Sequence, residues 1–169
     1  SESFPAVSYA ITSAMPSEVP EKVVNGDSDI GICYLGKLPA GLKAVAKAAF
    51  PPGVVMAPSH PLAKMAQISF DDCRSHAFIQ VSRLSPIHSL VVPEFERFWD
   101  DLQPGISCNS TTMVKRLLIG GKGISFFAKI GFMDELARGE VVWRPLANAR
   151  INRIEVGILT PTHRTLSHV

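Results

Sequence analysis

Apolar and polar positions along the chain alternate in short runs that divide it into brief strands and helices. Val7, Tyr9 and Ile11 alternate with Ser8, Ala10 and Thr12, the two-residue period of a strand with one buried face. Ser17 is placed to cap a short helix over 17–24, with Pro20 in the first turn and Asn25-Gly26 closing it. Residues 29–34 (DIGICY) read as a strand. A strand, a short crossover helix and a second strand predict a parallel pair and an α/β sheet. Two further strand candidates, 42–50 and 54–57, flank the Pro51-Pro52-Gly53 turn. The first of these is alanine-rich, so helix competes with strand there.

His60-Pro61-Leu62-Ala63 reads as a proline-stiffened loop. Ser69 begins a short helix with Asp72 three residues on, the spacing of a capping box. A strand over 76–81 leads to the polar loop Ser82-Arg83-Leu84-Ser85. A long helix over 86–102 follows, with Pro93 as a kink and Phe95, Phe98, Trp99 and Leu102 as its apolar face. The stretch 105–127 then reads as strand, polar loop, helix, glycine turn and strand. Ile106 and Cys108 alternate in the strand. Asn109, Ser110, Thr111 and Thr112 offer four N-caps, and Met113, Val114, Leu117 and Leu118 form one helix face. Gly120 and Gly121 end the helix. A helix over 132–138 stops at Gly139, a short strand covers 141–143, and a last strand covers 151–160. Thr162 would open a final helix.

Composition narrows the classes. At 169 residues with 46% apolar content the chain can bury a core as one domain or two small lobes. A net charge of +2, with scattered basic residues, gives no nucleic-acid stripe. No apolar run reaches bilayer length, and residues 1–15 lack the pattern of a signal peptide. Cys33, Cys73 and Cys108 are an odd count without metal spacing, which fits a reducing compartment and a cytoplasmic location. His60, His76, His88, His163 and His168 are too dispersed for a metal site, so no metal or cofactor is expected. There is no Gly-x-Ser-x-Gly elbow. Gly120-Gly121-Lys122-Gly123 has the wrong spacing for a phosphate loop. No acid–base or nucleophile set converges, so enzymatic activity is not expected.

The strands fall into an early group with a partner at the end of the chain, and a group from about 76 to 144. This predicts two α/β lobes with crossing segments near 76–81 and 146–155, and a ligand cleft between them. The lobe boundaries are 1–75 plus 149–169, and 76–148.

The order of motifs completes the picture. Phe4-Pro5-x-Val7, Asn25-Gly26-x-x-Asp29-Ile30-Gly31-Ile32, His60-Pro61-Leu62-Ala63, Gly120-x-x-Gly123-Ile124 and Glu135-Leu136-x-x-Gly139-x-Val141 together resemble the effector-binding (substrate-binding) domain of LysR-type transcriptional regulators. The resemblance covers nearly the whole chain. It implies a periplasmic-binding-protein-like fold, a small-molecule effector in the cleft, and a homodimer or tetramer. It also implies that promoter DNA is contacted only through a winged helix-turn-helix, and no such pattern lies before Phe4. From the resemblance, the family's first strand and first helix, which precede the Phe-Pro motif, are expected to be missing here. That strand would lie between 7–11 and 29–34, so the resemblance implies a gap in the first lobe's sheet and loss of part of the ligand site.

Within the resemblance, Asn109, Ser110 and Thr111 match an effector-contacting helix start. Hydroxyls, amide and helix N–H groups there suit a carboxylate, against the alternative of plain N-capping. Ser82, Arg83 and Ser85 match a second cleft-facing loop, where Arg83 could grip a carboxylate at two points or simply lie in solvent. Tyr34 and Leu35 are candidates for the opposite wall, with packing as the alternative. Phe126 and Phe127 either narrow the cleft or pack in the core. The rival class is a transporter's solute-binding component with the same fold.

Overall fold

Three consecutive residues without a polar atom in their side chains, Val54, Val55 and Met56, have no exposed surface, which marks the centre of a sheet covered on both faces. The computed structural model describes residues 8–15, 17–36, 38–81, 104–147 and 154–163. In chain order these form α1 (Val19–Val24), β1 (Gly31–Tyr34), β2 (Leu42–Phe50), β3 (Pro52–Met56), a 3-10 turn (Pro61–Lys64) and α2 (Phe70–Cys73). Then come β4 (Phe78–Val81), β5 (Pro104–Cys108), α3 (Thr111–Ile119), β6 (Ser125–Ala128), a 3-10 turn (Lys129–Phe132), α4 (Met133–Ala137), β7 (Val142–Pro145) and β8 (Ile154–Pro161).

The strands form two layers of sheet. One has the order β1-β8-β2, antiparallel throughout. The other has the order β6-β3-β7, also antiparallel. It is extended by the parallel pair β4–β5 through the Phe78–Ile124 bridge, where the Ile79 N–H donates to the Ile124 carbonyl at 2.8 Å. β3 and β6 alternate across this second sheet. Val54, Met56 and Phe126 join Leu62, Ile68, Cys73 and Phe78 on one face. Val55 and Phe127 join Val114, Leu118, Phe132 and Ile154 on the other. The Ser125 hydroxyl, buried between them, donates to the Ile79 carbonyl at 2.7 Å.

Three expectations change. β3 pairs with β6 and β7, not within the first group of strands, so the first crossing lies between Phe50 and Pro52 rather than near residue 76. The two-residue period located the strand but carried no information on its partners. Second, residues 8–15 form no strand, and Tyr9 and Ile11 are 63% and 93% exposed. The alternation there is real, but a strand exists only with a ladder to join, and β1 pairs with β8 alone among the described residues. The parallel pair expected around α1 is therefore replaced, among the described residues, by the antiparallel β1–β8 pair. Third, the N-cap of α1 is Glu18, without a side-chain cap bond, rather than Ser17. The alanine-rich segment is a strand, β2, paired to β8 along its length with a bulge at Val45. The helix expected over 86–102 lies outside the described residues.

Local signals hold elsewhere. The Ser69–Asp72 box is formed: the Ser69 hydroxyl accepts from the Asp72 N–H, and the Ser69 N–H donates to the Asp72 carboxylate at 2.8 Å. Gly123 has φ +151°, and a Cβ there would be driven into the Ala77 carbonyl, at the bridge that joins β4 to β6.

Candidate functional site

The end of β5 runs directly into α3. Ser110 is the N-cap, its hydroxyl accepting from the Met113 N–H at 3.3 Å. The Ser110 N–H in turn donates to the Cys108 sulfur at 3.3 Å. The first helical N–H groups, at Thr111 and Thr112, have no acceptor within the helix. Asn109, Ser110 and Thr111 are all exposed, so amide, hydroxyls and helix dipole face solvent together. Behind them Val114 and Leu118 are fully buried, which fixes the helix on the second sheet.

The two sheets meet at the same core. Tyr34 and Phe50 of the first sheet pack against the cluster that contains Val114 and Phe127, as do Ile106 and Cys108 of β5. Beside this junction lies a cavity of about 190 Å³. Ala14, Val19, Ile32, Cys33, Tyr34 and Val156 line it, together with Ile130 from the turn after β6. Burial pushes up the pKa of both the Cys33 thiol and the Tyr34 phenol, so both stay neutral near pH 7 and act as weak polar points in an apolar wall.

Of the expected ligand residues, Tyr34 lines the cavity and Asn109, Ser110 and Thr111 form the exposed helix start. Phe127 is 6% exposed and packs edge-on against Phe132 at 4.9 Å between ring centroids, while Phe126 packs on Phe78 at 4.9 Å. Both aromatic rings serve the core. Leu35 packs over Gly157. Ser82, Arg83 and Ser85 lie outside the described residues. Ile32, Cys33, Val156 and Ile130 had no sequence signal as cavity residues, because each reads locally as an ordinary strand or turn apolar position. Sequence reasoning also missed the pair Lys115–Glu135, 2.9 Å apart, whose partners are twenty residues apart.

Comparison with known proteins bears on this arrangement. The family model described as LysR substrate binding domain matches residues 1–169. The HTH-type transcriptional regulator CbbR of Cereibacter sphaeroides is 29% identical over 120 residues, 67% of this chain and 37% of that protein. The chain thus spans little more than a third of that relative's length. Among solved structures, the Synechocystis PCC6803 CcmR regulatory domain in complex with 2-PG superposes with a TM-score of 0.76 at 21% identity, covering 98% of this chain and 79% of that one. The effector binding domain of QuiR in complex with shikimate gives 0.68 at 23% identity, covering 92% and 72%. At such identities these two likenesses show the fold. Among the described residues no helix is long and apolar enough to cross a membrane.

Proposed function

The chain belongs to the LysR substrate-binding domain family, with its periplasmic-binding-protein-like α/β fold, and from that membership we propose that it senses a small anionic metabolite between its two lobes. The observation that carries the anionic part is the start of α3. Exposed Asn109, Ser110 and Thr111 and the unfilled helix N–H groups stand at the end of β5, next to the core that the two lobes share. An acidic group would be met there by hydrogen bonds and the positive end of the helix dipole. The body of the molecule would lie toward Tyr34 and the cavity wall. Arg83, Ser82 and Ser85, in the sequence that follows β4, complete the proposed set.

An effector acts by favouring one arrangement of the lobes over another, and only its differential affinity moves that equilibrium. In a homodimer or tetramer this would change how DNA-binding domains are presented to a promoter, with no chemistry on the effector and in the cytoplasm. The relatives are transcriptional regulators and regulatory domains, and give no support to a transporter's solute-binding component.

Calorimetry with a panel of organic acids and amino acids tests the proposal. Binding should weaken in Asn109→Ala and in Arg83→Ala, and both variants should blunt regulation by the full-length protein. If nothing in the panel binds, and both variants regulate normally, the cleft is not the sensor.

A further inference from the structure

The start of α3 and the turn that carries Ile130 are tied together by one side chain. Lys115 lies one turn into α3. Its Nζ is 2.9 Å from Glu135 Oε1 and 3.1 Å from Oε2. The same ammonium sits 5.2 Å from the centroid of the Phe132 ring. Glu135 and Phe132 belong to the continuous run 129–137, which begins one residue before Ile130 in the cavity wall. Lys115 therefore holds that run at two points, one charged and one aromatic.

The charged point is out of bulk water. Glu135 is 8% exposed. Arg138 reaches it only at 3.9 Å and is engaged by Glu140 at 2.9 Å. A carboxylate so enclosed needs a close cation, and Lys115 is the one in contact. Phe132, fully buried and packed on Phe127, cannot shift to follow a displaced lysine.

We propose that Lys115 is a positioning residue of the sensor, which fixes the first turn of α3 against the 129–137 run and so sets the separation of the two walls an effector would meet. Its consequence for binding rests on the function proposed above, but the tie itself does not. Lys115 does not touch the effector in this account. Its own charge is consumed by Glu135, which leaves the anion to the helix N–H groups and the polar side chains before them.

The test uses Lys115→Met, which keeps a long apolar stem over Phe132 and removes the charge, and Lys115→Arg, which restores it. Amide hydrogen exchange in the 169-residue chain is the first readout. Exchange should rise about tenfold in Lys115→Met at the hydrogen-bonded amides of 113–118 and 131–137, stay unchanged at Val54, Val55 and Met56, and return toward the parent rate in Lys115→Arg. A uniform rise over the whole chain, or no rescue by arginine, would overturn the proposal by making Lys115 a general stabiliser. Calorimetry with shikimate and 2-PG as probes is the second readout. A probe that binds should lose about three- to tenfold in affinity in Lys115→Met and recover in Lys115→Arg. Unchanged affinity beside a local exchange change would refute the positioning role. Should neither probe bind the parent chain, it is the function proposed for the cleft that loses support, and the exchange result still decides the tie.

Discussion

Replacing Arg144 should cost more stability than replacing any other exposed or half-exposed charge among the described residues. The residue lies on β7, at the edge of the second sheet, and among the described residues its guanidinium is paired with no carboxylate. Instead its Nε donates to the Met65 carbonyl at 2.7 Å, one terminal nitrogen to the Ala63 carbonyl at 2.7 Å, and the other to the Trp143 carbonyl at 3.1 Å. Ala63 and Met65 are the end of the His-Pro-Leu turn, which a 3-10 geometry leaves with carbonyls to satisfy. A charged donor to a neutral acceptor contributes about 1.5–3 kcal/mol net. The two short bonds share one side chain and are not additive, so Arg144→Met should lose about 3 kcal/mol. For a domain of this size that lowers Tm by about 6–12 °C. Arg144→Lys can reach one carbonyl at a time and should lose about half as much. Urea unfolding followed by tryptophan fluorescence and far-UV circular dichroism measures both. The midpoint should fall with the slope m unchanged, because the same surface is exposed on unfolding. A loss below about 1 kcal/mol in Arg144→Met, or identical losses in the two variants, would refute the claim that a planar fork clamps the turn.

Other positions give narrower tests. Ser69→Ala removes the hydroxyl that accepts the Asp72 N–H and should cost about 1 kcal/mol in urea, whereas Ser69→Asn should cost less because it can cap as well. Gly123→Ala meets both a positive φ and the Ala77 carbonyl, and should destabilise by about 3 kcal/mol or more or fail to fold; a mild effect would show that the β4–β6 junction can relax. His60 lies 4.6 Å from His76, ring centroid to centroid, and burial and then the His76 charge lower its pKa. The unfolded chain thus binds a proton more readily at this position than the native one. Stability should therefore hold above about pH 6.5 and fall as pH drops below it, and His76→Asn should flatten that fall in urea midpoints taken from pH 7.5 to 5.5. Ile32 is 67% exposed on β1, which pairs on one side only among the described residues. Ile32→Lys should lower concentration-dependent self-association in sedimentation velocity without loss of stability, and an unchanged profile would acquit that edge.

What could be read from the sequence was what a few adjacent residues decide. The Ser69–Asp72 box, the Ser110 start of α3, and the glycines at 121 and 123 are local events, since capping and positive φ need only near neighbours. The strand at 54–57 was equally legible as a strand. Its place was not, because Val54, Val55 and Met56 are apolar on both faces and so carry no pointer to one sheet rather than the other. The alternation at Val7, Tyr9 and Ile11 fails for a related reason: a period of two describes a face, whereas a strand also needs an edge to pair with.

The same distinction orders the site. Its proposed polar half, at Asn109, Ser110 and Thr111, was legible as a helix start because a run of cap residues before an apolar helix face is a local signal. Its apolar half was not, since Ile32, Val156 and Ile130 come to line one cavity only through the β1–β8 pairing and the turn after β6. The polar ties that hold the frame are the least legible of all. Arg144 reaches back about eighty residues to the turn at 61–64, and Lys115 reaches forward twenty to Glu135. Neither arginine nor lysine has a spacing rule over such distances. A sensor that works by small shifts between lobes depends most on such long-range ties, because local propensities fix each element but leave the angles between elements free.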